Sequence, residues 1–176
     1  VLISSARIFT VGHSNQSIQE FLQELDAYKL KLVVDIRTIP KSRHNPQFGQ
    51  KRLATSLAKR GIEYVHMAGL GGLRHTHKDS VNKAWRNASF RGYADYMQTD
   101  EFKKSLNRLI ARSKRKRLVL MCAEVLPWRC HRSLVGDALF ARGFSVEDIF
   151  SKTSHRLHRL TSFAKLRGEN ITYPEE

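Results

Sequence analysis

The sequence predicts an α/β fold: a mainly parallel open sheet of about five strands with flanking helices, three-layer and Rossmann-like. Three observations carry that expectation. Short apolar runs alternate with helical periodicities at least four times along the chain. The run at 32–36 opens with continuous apolar side chains, as strands buried on both faces do. No internal repeat or low-complexity linker interrupts the alternation.

Residues 8–11 form the first apolar strand, closed by Gly12, His13, Ser14 and Asn15. Ser17 and Glu20 make a capping box, and Ile18, Phe21, Leu22 and Leu25 follow at helical spacing. Residues 32–36 are the second strand, running into a loop over 37–49 that carries Arg37, Lys41, Arg43 and His44. A short helix around Leu53 and Leu57 stops at Gly61, and residues 62–66 are the third strand.

Residues 68–91 read as a long irregular stretch, a length that usually signals function or mobility. Thr99 caps the next helix, with Asp100 and Glu101 in its first turn and Phe102, Leu106, Leu109 and Ile110 as its buried stripe. Residues 118–122 are the fourth strand, and a helix after Cys130 carries Leu134, Val135, Ala138 and Leu139 to Gly143. Residues 146–150 are the fifth strand. At 176 residues and 41% hydrophobic, the chain can bury one sizeable core. A single α/β domain over 1–150 is therefore expected. Residues 151–176 read as a basic C-terminal extension, partly helical, packed on that domain or trailing from it.

Charge narrows the partners. The chain has 31 Lys+Arg against 16 Asp+Glu, net +15, with a pI near 10.3. A polyanion, nucleic acid or a nucleotide, is the natural partner. No stretch approaches the roughly 20 apolar residues that span a bilayer, so no membrane partner is expected. Residues 1–7 lack a basic region followed by a long apolar run, so no signal peptide is expected and the cytoplasm is the expected compartment. Two cysteines in such a chain point to metal or redox chemistry, or to reduced thiols, before a structural disulfide. Nothing in the sequence speaks to oligomeric state.

Parallel strands joined by right-handed crossovers end on one sheet edge, where ligands bind. Three polar segments follow strands and so share that edge: 12–15, 35–44 and 122–132. The last gathers both cysteines with a carboxylate, an imidazole and a guanidinium: Cys122, Glu124, Cys130, His131 and Arg132. Cys122 has the better placement, at a strand end, although a plain buried thiol competes with that reading. Cys130 has the better local electrostatics, at a helix start beside Arg129, His131 and Arg132. Both stay candidates for the nucleophile, with Glu124 and His131 or His13 as acid and base.

Cys122, Cys130, His131 and His13 are also the set that would hold a metal ion, although seven residues between the cysteines is not a common zinc spacing. No cofactor is otherwise implied beyond a bound metal or anion. Gly12 and Ser14 at the first turn would hold an anion beside His13. Asp35 is either a catalytic base or one half of an ion pair with Arg37 or Arg132. Arg37, Ser42 and Arg43 form a phosphate-facing loop. The segment 86–96 interleaves bases with aromatics, Tyr93 among them, as sites for single strands and nucleobases do. Aromatic core packing is its rival. The run 103–117 holds eight Lys or Arg and no acid. His155, Arg156, His158 and Arg159 repeat at a spacing that would line one helical face.

These residues resemble a known group. Thr10-Val-Gly-His-Ser-Asn15, Val34-Asp-Ile-Arg37 with Pro40, Ser42-Arg43 and Pro46-Gln-Phe48, Gly92-Tyr-Ala-Asp-Tyr-Met97, Met121-Cys-Ala-Glu124 and Cys130-His-Arg132 are similar to the domain-of-unknown-function 488 family, over residues 8–150. The resemblance implies a bacterial or archaeal cytoplasmic protein and no established activity. The motif positions it marks as a site are Gly12, His13, Ser14, Asp35, Arg37, Ser42, Arg43, Tyr93, Cys122, Glu124, Cys130, His131 and Arg132. A second resemblance is to rhodanese-type sulfurtransferases and cysteine phosphatases, which also set a Cys after a strand and an Arg at a helix start. Here six residues separate Cys122 from Arg129 and nine separate it from Arg132, longer than a phosphatase loop.

The expected function is an enzyme with a Cys/Glu/His/Arg site acting on a phosphate-containing substrate such as nucleic acid or a nucleotide. The alternatives are a non-catalytic basic nucleic-acid-binding module with structural or metal-holding cysteines, and a rhodanese-like sulfurtransferase.

Overall fold

The computed structural model describes residues 6–176. Val1 to Ser5, most of the stretch read for a signal peptide, lie outside the described residues. Five strands run parallel: β1 (Arg7–Gly12), β2 (Leu32–Asp35), β3 (Glu63–His66), β4 (Leu118–Cys122) and β5 (Ser145–Ile149). A sixth, β6 (His155–Leu157), pairs antiparallel with β5, giving the order β3-β2-β4-β1-β5-β6.

The helices are α1 (Ile18–Ala27), α2 (Gln50–Ala58), α3 (Ala88–Tyr96), α4 (Asp100–Ser113) and α5 (Arg132–Ala141). The side chains of successive strand residues point to opposite faces, so each strand feeds two cores. Val33, Val119 and Met121 meet Phe21, Leu22 and Leu25 of α1 and Leu53 and Leu57 of α2. Val34, Leu118 and Leu120 meet Phe102, Leu106 and Leu109 of α4 and Leu134 and Val135 of α5. The protein is thus a three-layer α/β structure with an open, mostly parallel sheet. Among the described residues, no helix is long and apolar enough to cross a membrane.

The strand order fixes where a site can form. From β1 the chain leaves leftward over β4 to β2, and from β4 it leaves rightward over β1 to β5. The carboxyl ends of β1 and β4 therefore bound a topological switch point, the crevice that ligands occupy in such sheets. Gly12 and Cys122 are register partners there.

Two expectations about local structure need correction. The stretch read as irregular to residue 91 turns helical at Ala88, because the Asn87 side chain accepts from the amides of Ser89 and Phe90 and caps α3. Gly92 hid this helix. It costs helix propensity, yet here it lets the α3 backbone sit against Arg74, whose carbonyl oxygen lies 2.1 Å from where a Cβ would be. The tail is not helical. After β6 it forms a hairpin of β7 (Lys165–Arg167) and β8 (Asn170–Thr172), and Tyr173 is fully buried. The exposed edge of β5 offers the tail backbone a partner, and in a strand His155 and Arg156 point to opposite sides.

Candidate functional site

The turn after β1 and the turn after β4 are stitched together. His13 donates its amide to the Cys122 carbonyl (2.9 Å), and Ser14 donates to the Ala123 carbonyl (3.0 Å). This crossing needs Gly12, since a Cβ there would lie 1.9 Å from the Glu124 carbonyl oxygen. The amides of His13 and Ser14 are accordingly spent on the backbone crossing. The start of α1 is closed as well, its amides taken by the reciprocal Ser17–Glu20 capping box.

Cys122 ends β4 facing the α3–α5 layer, with Leu118 and Leu120 on the same side. Its Sγ lies 3.0 Å from Cys130 Sγ and 3.3 Å from Arg132 Nη1, both donors to it. The Cys130 thiol lowers the Cys122 pKa most; burial works the other way, and the Arg132 charge lowers it further. Cys130 is driven upward by that same contact, by burial and by the Cys122 charge. The local helix-start argument favouring Cys130 is thus reversed in space. Arg132 is 1% exposed. Its Nη2 donates to the Val125 carbonyl at 2.9 Å, and its Nε is buried without a partner. No carboxylate oxygen lies within 4.0 Å of it among the described residues. Burial turns Arg132 toward the Cys122 sulfur and away from the open cleft, where an anion clamp was expected.

His131 sits behind Cys130. Its Nε2 faces the Ile36 carbonyl at 3.1 Å, which makes that nitrogen the protonated one and leaves Nδ1, 3.6 Å from Cys130 Sγ, as an acceptor. Burial lowers its pKa to about 4. A chain of polar atoms therefore runs from a neutral imidazole through the Cys130 thiol to Cys122 and the guanidinium.

The neighbouring polar cluster lies on the opposite sheet face. Asp35, like Val33, points toward α1 and α2, and is fully buried. It accepts from Arg37 Nε (2.9 Å), Arg37 Nη2 (2.6 Å), the Arg37 amide (3.1 Å) and the Tyr64 hydroxyl (2.5 Å). With four donors and no exposure, Asp35 holds Arg37 and has no free lone pair facing a substrate. Burial opposes the charge on Arg37, but the Asp35 carboxylate outweighs it and raises the pKa.

His13 stacks on Phe48 at 4.2 Å, its Nδ1 on the Ser14 carbonyl and its Nε2 toward Arg37 Nη1 at 3.3 Å. Burial lowers it to about 4. It is a neutral structural imidazole turned away from the sulfurs. The metal set of Cys122, Cys130, His131 and His13 does not assemble, and no group of three or more His, Cys, Asp or Glu fit for a metal occurs among the described residues.

A cleft of 530 Å³ opens over Cys122, and Cys130, His131, Glu124, Arg129, Arg37 and Lys41 line it. Glu124 stands at the mouth, accepting from the Leu126 amide at 3.1 Å with Arg129 4.0 Å away. Tyr93 forms part of the floor, 1% exposed, its hydroxyl donated to the Leu70 carbonyl. Desolvation raises its pKa. Ser42 only braces its own loop by accepting from the Asn45 amide, and neither it nor the exposed Arg43 reaches the cleft. Lys41 and Arg129 take the places expected for Arg43 and Arg132. Both were visible as basic residues of the right loops, but nothing local says which side chain of a loop turns inward. Asn87, Ser89 and Phe90 complete the far wall, and their signal in the chain was the interleaving of bases and aromatics over 86–96.

The amides of Leu126, Arg129 and Cys130 already have acceptors inside the 124–130 turn, so they do not ring the sulfur as an anion-cradling loop would. A larger cavity, 730 Å³, lies elsewhere, between α4 and β3, and holds no thiol. Chemistry therefore points to the smaller cleft.

A family model described as "Domain of unknown function DUF488" matches residues 17–139. No curated protein and no solved structure matches the chain.

Proposed function

The chain belongs to the DUF488 family, a domain of unknown function, and we propose that it is a thiol-dependent enzyme acting on a phosphate-containing substrate, with Cys122 as nucleophile. One observation carries this reading: the buried Arg132 guanidinium donates to the Cys122 sulfur at 3.3 Å and has no carboxylate oxygen within 4.0 Å among the described residues. A buried charge without a counterion costs several kcal/mol or more. Ionised Cys122 removes that cost, and an ionised thiol is the nucleophilic form. Lys41, Arg129 and Arg37 against Glu124 make the cleft lining cationic, which suits an anionic substrate.

In this reading Cys122 Sγ bonds to the electrophilic centre of the substrate as the bond to its leaving group breaks. Glu124 then accepts the proton of the water that releases the sulfur. A second reading, a basic nucleic-acid-binding module, draws on the groove between α4 and β3, where Arg108, Arg112, Arg115 and Lys116 converge.

Alkylation of Cys122 by iodoacetamide across pH separates the two. The enzyme reading expects a midpoint below that of free cysteine and slower labelling in inorganic phosphate. Ordinary thiol behaviour without phosphate protection, together with full activity of Cys122→Ser on any phosphate ester the protein turns over, leaves the binding module.

A further inference from the structure

A second cavity, 520 Å³, shares the 127–129 turn with the thiol cleft: Pro127 and Trp128 line it, while Arg129 lines the cleft. Trp85 joins the two from the other side, lining this cavity while its ring packs 5.0 Å from Phe90 of the cleft wall. The volume falls within the range of about 300–1,000 Å³ typical of small-ligand sites.

The chemistry of the wall is specific. Trp128 is 50% exposed, an unusual state for the largest apolar side chain, and the Arg156 guanidinium lies 4.8 Å from its ring centroid. The Trp85 indole nitrogen is buried with no acceptor. Arg156 and Arg159 are exposed, and neither has a carboxylate within 4.0 Å among the described residues. Asp148 and His158 also face the cavity; with Asp137 they make two carboxylates on one imidazole, and the two arginines still leave the group with a net positive charge.

We propose that this cavity is a nucleotide subsite, with a base against Trp128 and its phosphate between Arg156 and Arg159. An exposed aromatic face and flanking guanidinium groups are what a base with an adjacent phosphate requires. The inference rests on reading the cleft as a phosphate-ester site, and it names the nucleotide as the class of substrate shared across the turn.

Trp85 and Trp128 are the two tryptophans of the chain, and both line the cavity, so intrinsic fluorescence reports on it directly. Titration with adenosine and uridine monophosphates is expected to give saturable quenching that ribose 5-phosphate does not. Affinity should fall about tenfold in Trp128→Ala, read through Trp85, and in Arg159→Ala. Quenching by a short single-stranded oligonucleotide but by neither monophosphate supports the same site on a strand. No saturable change with either probe, an equal change with ribose 5-phosphate, or undiminished affinity in both variants overturns the proposal. Cys122 alkylation in the parent protein keeps the two readings apart: a lowered midpoint with phosphate protection but no nucleotide quenching sinks the subsite alone, and quenching beside an ordinary, unprotected thiol sinks the enzyme reading alone.

Discussion

Arg132 Nη1 and Cys122 Sγ lie 3.3 Å apart inside the protein, the guanidinium facing the sulfur with no carboxylate oxygen within 4.0 Å among the described residues. Arg132 begins α5 and Cys122 ends β4. The strand-to-helix turn between them closes this pair. Replacing Arg132 by Met keeps the length and removes the charge. The pH midpoint of Cys122 alkylation is then expected to rise, and its rate at pH 7 to fall about tenfold, the worth of one charged hydrogen bond. An unchanged profile in Arg132→Met removes the guanidinium from the chemistry.

Cys130 should matter to Cys122 in the same direction. Its thiol is the strongest influence lowering the Cys122 pKa, so Cys130→Ala is expected to slow alkylation of Cys122 at neutral pH by about tenfold. In Cys122→Ala the contact that raises the Cys130 pKa most is gone and burial is left opposing the Arg132 charge, so Cys130 should label faster than it does in the parent protein. Mass spectrometry of the labelled variants reads both outcomes.

Gly12→Ala tests the crossing of the two turns. The added Cβ meets the backbone carbonyl of Glu124, which no rotamer change can move aside. A loss of about 3 kcal/mol is expected from the denaturant midpoint. The displaced 123–125 backbone should also disturb Cys122 reactivity. A fold as stable as the parent shows that the turn yields easily.

Stability should fall on the alkaline side through His158. Burial works against its charge, but Asp137 at 2.8 Å and Asp148 at 3.8 Å outweigh that and raise it to about 9. A raised base binds its proton more tightly when folded. Its contribution is therefore full below about 6.5 and lost as pH rises through about 9, roughly 3 kcal/mol in all. His158→Gln should flatten that part of the stability profile. An identical slope in the variant contradicts the assignment.

The acid side has the opposite sign. His13 and His131 are both held near 4 by burial, so the unfolded chain takes up their protons first as pH falls below 6.5. Stability is expected to drop from pH 6.5 toward 4 by about 1.4 kcal/mol per pH step for each group. Chemical denaturation at pH 5 and pH 7 measures it, and His13→Gln should remove one share of the slope.

Much of the scaffold was legible in the chain. The strands at 32–36 and 118–122, the Ser17 capping box and the Thr99 cap all rest on signals within a few neighbouring residues, and the structure carries each of them. Helix α3 was not legible, because Gly92 breaks its pattern for the sake of a contact with Arg74 eighteen positions away. The tail misled for a related reason. Its His–Arg repeat suits a helix face as well as a strand, and the choice was made by the open edge of β5.

The sequence by itself determined the alternating α/β scaffold and the sheet edge to which its polar segments run, because spacing and caps are properties of neighbours in the chain. Only the tertiary structure decided which sulfur has its pKa lowered and which arginine lies against it. It also turned Asp35 and His13 into supports on the far face of the sheet. Ionisation depends on burial and on charges a few ångströms away through space, and strand alternation sends Asp35 and Cys122 to opposite layers although both end their strands at one rim.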